Sequence, residues 1–200
     1  MSKQLLVEYT TFKISPEAIN ESLSKNEGRL IVNGVLQRAE SKNQNGRIYP
    51  KETLMREAAK YSDGFIKEKR ALGELDHPDS SVVNLNNVSH NILDMKWSGD
   101  DLVGTVEVLG TPAGNILKEL FKSGIRLGIS SRGMGSVKEV VTEGEDTLEV
   151  QPDFELIAFD FVSNPSTHGA FLSPVHEGKI QKTDKYAEVN RLITDIIKEY

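Results

Sequence analysis

The chain has 200 residues, 38% of them hydrophobic and 27% charged, with a formal net charge of −6. That is one domain with a tail, long enough to bury about two thirds of its unfolded surface. The acidic balance argues against general nucleic-acid binding, which needs a basic face. The absence of Cys excludes disulfides, a thiolate nucleophile and thiolate metal sites. No run approaches the roughly 18 apolar residues of a spanning helix, and the apolar run in MSKQLLVEYTTF is too short for a signal peptide.

Residues 1–27 read as an N-terminal appendage or propeptide: a strand in LLVEYTTF, then a short helix opened by Ser15 as N-cap and Pro16 in the first turn. Arg29–Ala39 is a β-branched strand interrupted by Gly34. Ser41–Pro50 is a loop with Asn45-Gly46 as its turn signal. Pro50 opens a helix with Leu54, Met55 and Ala58 on its buried face, stopped at Asp63-Gly64. Ala71–Ser81 is a short strand running into a turn. Ser89–Gly110 is two strands around Gly99-Asp100-Asp101. Thr111-Pro112 starts a helix with Ala113, Ile116, Leu117, Leu120 and Phe121 on one face and Gly124 as its C-cap. Ile125–Val137 is a strand that breaks into glycines, and a hairpin around Glu143–Asp146 follows. Asp153–Ser166 is an apolar strand with one acid, Asp160, inside it. A polar linker then leads to an amphipathic helix marked by Val189, Leu192, Ile193, Ile196 and Ile197. Short strands joined by turns, with a few interposed helices, predict an α+β fold with a mainly antiparallel sheet, not a doubly wound one.

Three segments carry chemistry. In Gly128–Ser136 (GISSRGMGS), glycines let the backbone approach a substrate, and two serines precede an arginine. The pattern is not the nucleophile elbow of the α/β-hydrolases, because Arg132 stands where a glycine belongs; the plainer reading is a Gly/Ser turn. In Gly73–Pro78 (GELDHP), His77 sits in a rigid turn where a neutral imidazole can take a proton from a serine; it also reads as a surface histidine. Asp160 lies in an apolar strand and must be paired, hydrogen-bonded or exposed, as a triad acid or as half of a salt bridge. His90 sits inside a predicted strand and reads as structural, and His168 reads as a loop residue. No H-x-H or H-x-x-x-H pair and no phosphate loop occurs, so no metal or other cofactor is expected.

NQNGRIYPKETL (Asn43–Leu54), GELDHP, GISSRGMGS and FDFVSNPS (Phe159–Ser166), in this order and with DMKWSGDD between the second and third, resemble the prohead core protein proteases of T-even-type tailed phages. The resemblance spans roughly residues 28–175. It implies a β-barrel surrounded by helices, as in the herpesvirus assemblins, and a protease domain over 28–176 followed by the linker and helix of 177–200. It implies Ser130 as nucleophile, His77 as general base and Asp160 as third member, with His90 and His168 as alternatives to Asp160. Ser131, Arg132 and Gly133 would serve the oxyanion and substrate. The implied enzyme is a homo-oligomeric serine endopeptidase working inside the assembling prohead in the host cytoplasm, without nucleic acid or membrane. Its substrates would be the scaffolding core proteins, the major capsid protein and itself, cut after Glu in Leu/Ile-x-Glu. That pattern occurs at Glu8, Glu21, Glu68, Glu74, Glu119 and Glu199, and self-cleavage is expected near Glu8 or Glu21, or in the tail. A non-catalytic capsid or scaffold component is the competing class.

Overall fold

The computed structural model describes residues 2–12, 14–76, 78, 80–142 and 144–163. His77, His168, His176 and the expected C-terminal helix lie outside them. Ten strands and three helices follow in the order β1 (Gln4–Phe12), α1 (Pro16–Lys25), β2 (Leu30–Arg38), β3 (Arg47–Ile48), α2 (Lys51–Tyr61), β4 (Leu72–Glu74), β5 (Val88–Ser98), β6 (Asp101–Val108), α3 (Pro112–Lys122), β7 (Leu127–Gly135), β8 (Val137–Thr142), β9 (Glu145–Val150) and β10 (Glu155–Val162). The strands form three sheets, ordered β1-β7-β10, β2-β6-β5-β4 and β3-β9-β8. Pairing is antiparallel except between β3 and β9. The mixed, mainly antiparallel class holds, but the expected closed barrel does not form among the described residues.

Local chemistry fixes the helix starts. The Ser15 hydroxyl accepts from the Ala18 N–H at 3.2 Å, and the Thr111 hydroxyl accepts from the Gly114 N–H at 3.0 Å. Each such cap stabilises its helix by about 1 kcal/mol. Pro follows both caps, its missing N–H costing nothing at that position. Gly124 ends α3 with φ +73°, the left-handed conformation a C-cap glycine supplies. Two expected faces are corrected. Met55 and Ile116 are 46% and 56% exposed. A Cβ on Gly114 would lie 2.0 Å from the Leu109 carbonyl oxygen, so α3 lies close against that backbone. Its buried face becomes Ala113, Gly114, Leu117 and Phe121. The chain also does not stop at Asp63-Gly64 but continues through a π-helical turn over Ser62–Ile66.

Residues 4–25 are packed into the domain. β1 runs beside β7 over its whole length, from Gln4↔Gly135 to Phe12↔Leu127. Leu6, Phe12 and Ile19 are buried in the common core. The Phe12 ring meets Phe161 of β10 edge-on at 5.0 Å, and Phe121 of α3 meets the same ring at 5.3 Å. Gly34, the oddity inside β2, has a reason here: a Cβ would fall 2.2 Å from the Phe12 ring. The middle strand, β7, is buried at every residue except Met134. It is a packed central strand and not a Gly/Ser turn.

Candidate active site

β7 presents Ser130 directly opposite Asp160 of β10 and Tyr9 of β1. Directly opposed residues of antiparallel strands share a face, so Ser130 and Asp160 lie side by side on one face of this sheet. Ser131 is turned to the other face by the two-residue period, with Glu8 and Phe159 as its register partners. Ser130 and Asp160 are fully buried. Neither the Ser130 hydroxyl nor Asp160 Oδ2 has a hydrogen-bond partner among the described residues. A buried hydroxyl without a partner is unusual, since such groups normally find one.

The rest of the Asp160 carboxylate is engaged. Oδ1 accepts the Glu74 N–H at 3.0 Å and an Arg132 N–H at 3.2 Å. Arg132 Nε lies 2.9 Å from Oδ2, close enough for an ion pair but without the alignment of a hydrogen bond. The same guanidinium donates to Glu74 Oε1 at 3.1 Å and to the Ser80 carbonyl at 2.7 Å. Glu74 Oε1 also accepts the Asn84 N–H at 3.0 Å. Arg132, Glu74 and Asp160 are each at most 1% exposed. Burial pushes the Asp160 carboxyl up to about 6, against the opposing pull of Arg132. Arg132 thus donates to two carboxylates and a carbonyl. It is the tie between β7, β10, β4 and the loop after β4.

That loop is pinned at its neck. Leu75 bridges Phe161 in parallel, and the Asp76 N–H donates to the Phe161 carbonyl at 2.7 Å. Asn87 Nδ2 donates to the Leu75 carbonyl at 2.5 Å. Asp76 takes φ +64°, which turns the chain sharply one residue before His77. So the chain reaches position 76 beside the residue that follows Asp160. The placement of His77 itself is outside the described residues.

His90 is fully buried and locked. Its Nε2 lies 2.9 Å from the Phe159 carbonyl and its Nδ1 lies 2.8 Å from the Ser89 hydroxyl. Carbonyl oxygens only accept, so Nε2 carries the proton and the serine donates to Nδ1. Burial lowers its pKa to about 4, opposed by the Phe159 bond. It is a structural histidine, as its place in a strand suggested. Gly133 has a packing reason too: a Cβ there would lie 2.3 Å from the Phe154 ring.

Sequence reasoning missed two groups. Glu74 is one, although it stands three residues before His77 in a motif read only for its Asp-His-Pro end. The other is on the opposite face of the sheet. Glu8 of β1, 4% exposed, receives Arg47 at 2.7 Å, Asn45 Nδ2 at 2.8 Å and the Tyr49 hydroxyl at 3.0 Å. Asn45 Nδ2 also donates to the Val7 carbonyl at 2.9 Å. Burial pushes the Glu8 carboxyl up, and Arg47 chiefly opposes it. The motif Asn43–Leu54 was a signal that something specific sits there, but it named no partner.

The sequence profile of the prohead core protein serine proteases matches residues 13–181. The prohead core protein protease of Enterobacteria phage T4 is 32% identical over 164 residues, covering 80% of this chain and 76% of that protein. Among solved structures, that of the bacteriophage T4 capsid assembly protease superposes with a TM-score of 0.71 at 29% identity, over 82% of this chain and 100% of that one.

Proposed function

The chain belongs to the prohead core protein serine protease family, and from that premise we propose that Ser130, His77 and Asp160 cut peptide bonds during prohead maturation. The supporting observation is that Ser130, whose hydroxyl has no hydrogen-bond partner among the described residues, stands beside Asp160, whose Oδ2 is ion-paired with Arg132 but accepts no aligned hydrogen bond there, on one buried face. An imidazole has one ring nitrogen to accept from a hydroxyl and one N–H to donate to a carboxylate, so a single histidine satisfies both. His90 is committed elsewhere, and the anchoring of Asp76 beside Phe161, one residue before His77, supports His77 over His168.

In this reading Ser130 attacks the scissile carbonyl and His77 takes the hydroxyl proton. The tetrahedral intermediate collapses as His77 returns that proton to the leaving amine. Water then hydrolyses the acyl-serine by the same route. Asp160 holds the imidazole tautomer through Oδ2 while Arg132 and the Glu74 N–H hold Asp160. The oxyanion is assigned to backbone N–H groups, since the hydrogen bonds of Arg132 serve Glu74, Asp160 and the Ser80 carbonyl. The substrates are the core proteins of the prohead, its capsid protein and the chain itself, inside the assembling capsid.

β1 bears on the self-cleavage. Its Leu6-Val7-Glu8 fits the Leu/Ile-x-Glu pattern. In the register Glu8↔Ser131 and Tyr9↔Ser130, the Glu8–Tyr9 bond runs along the strand that bears the nucleophile. A peptide substrate paired with β7 would lie where β1 lies. We read β1 as the enzyme's own first substrate, which blocks the cleft until it is cut after Glu8. Glu21 and Glu119 lie in helices and offer no extended bond, and the Glu74 side chain is held by Arg132 within the domain. Full-length protein should hydrolyse a peptide of sequence Gln4–Phe12 in the presence of a chelator, and Ser130→Ala should not. Equal turnover by both, or none by either, overturns this function.

A further inference from the structure

We propose that Asn45, Arg47 and Tyr49 form the pocket that selects glutamate on the acyl side of the cut bond, and that Glu8 occupies it in this structure. The inference rests on the protease reading and goes on to name the residues that read the substrate.

The geometry supports the role in three ways. The loop is built without β1: Asn43 Oδ1 accepts the Asn45 and Arg47 N–H groups at 2.9 and 3.0 Å, and the Asn43 N–H donates to the Arg47 carbonyl at 2.9 Å. β3 then anchors it to β9. It is therefore a preformed receptor and not a turn shaped by its guest.

The loop also reaches β1 as a receptor reaches a peptide. Its hydrogen bonds go to one side chain, the Glu8 carboxylate, and to one backbone carbonyl, that of Val7. Glu8 is the residue whose carbonyl precedes Tyr9, the register partner of Ser130. The charged side chain is thus recognised one residue before the position opposite the nucleophile.

Finally, the three groups at the carboxylate are all donors. Arg47 and the Tyr49 hydroxyl meet Oε1, and Asn45 Nδ2 meets Oε2. The bond from Asn45 Nδ2 to the Val7 carbonyl fixes that amide with its NH₂ inward. A carboxylate accepts at both oxygens. A glutamine there would set its own NH₂ against a donor, and an aspartate would fall one methylene short. A cavity of about 460 Å³ continues along Glu8–Thr11, and Gln37 in its wall is 3% exposed, with neither amide atom hydrogen-bonded among the described residues. The groove therefore has polar capacity left for a longer chain.

The test uses the full-length protein with two peptides: Gln4–Phe12, and the same peptide with glutamine in place of Glu8. Wild type should prefer the glutamate peptide by ~100-fold in kcat/KM, as a site built of matched polar groups does. Arg47→Gln, assayed after incubation long enough for its intact mass to show loss of residues 1–8, should lower turnover of the glutamate peptide by ~100-fold and leave the glutamine peptide within a few fold. Tyr49→Phe keeps the ring packed on Phe154 and should narrow the preference ~10-fold, so the test survives if Arg47→Gln fails to fold. Arg47→Lys should restore part of the preference. A wild type that cuts both peptides equally overturns the pocket alone, as does a fall in both rates alike in a folded and trimmed Arg47→Gln or no narrowing in Tyr49→Phe. A wild type that cuts neither overturns the protease reading and the pocket with it.

Discussion

Two buried arginine–carboxylate sites lie on opposite faces of the sheet around β7, and they differ in who supplies the acid. On the Ser130 face, Arg132 ties Glu74 and Asp160, all three on strands of the domain, and backbone N–H groups of Glu74 and Asn84 complete the carboxylates. On the other face, Arg47 and its neighbours hold an acid that arrives on β1. The first is scaffold: a network of this kind is held by its own fold and fixes the geometry around the serine. The second is recognition: the receptor stands by itself and the carboxylate is the guest. One strand, β7, carries Ser130 between them.

Substitutions should separate the two sites by size and by kind of effect. Ser130→Ala should lower kcat by roughly 10⁵–10⁶-fold, as loss of a triad nucleophile does, with the fold intact by circular dichroism. Arg132→Met leaves two buried carboxylates facing each other. Denaturant unfolding should show a loss of about 3–5 kcal/mol, and adding Asp160→Asn should recover part of it. Glu8→Gln breaks the guest side only. It should cost about 1.5–3 kcal/mol in the uncut chain and stop cleavage at that bond; unchanged stability would mean that the cage holds nothing.

The smallest expected effect is in pH. His90 has a folded pKa near 4, below its ordinary 6.5, so its contribution is present above pH 6.5 and is lost as pH falls towards 4. Asp160 has the opposite sign: its folded value near 6 lies above 3.8, so its contribution is present below pH 3.8 and is lost as pH rises through 6. The two oppose each other on acidification. Relative to wild type, His90→Gln should therefore gain about 1 kcal/mol between pH 7 and pH 5.5. Parallel stability curves for the two proteins would place His90 outside this balance.

The local signals were legible in the sequence, and the long-range ones were not. Ser15-Pro16 and Thr111-Pro112 predicted their helices because a cap and its proline act within four residues. The pairing of β1 with β7 joins segments more than a hundred residues apart, and nothing in LLVEYTTF names its partner. That is why residues 1–27 read as an appendage and Gly34 as an interruption. Ser130 and Asp160 stood out because a serine among glycines and an acid among apolar residues are anomalies where they stand, and the structure sets the two opposite each other. The ion pair of Arg132 with Glu74 was not legible, because the two lie 58 positions apart. Ile116 was assigned to the core because periodicity counts apolar residues, whereas Gly114 decides which side of α3 can approach the sheet.

The most direct measurement is the intact mass of full-length wild type and of Ser130→Ala after incubation, separately and mixed. The account predicts that wild type loses residues 1–8, and that Ser130→Ala alone keeps its full mass. Wild type that keeps Glu8 joined to Tyr9, or Ser130→Ala that trims itself at the same bond, would contradict it.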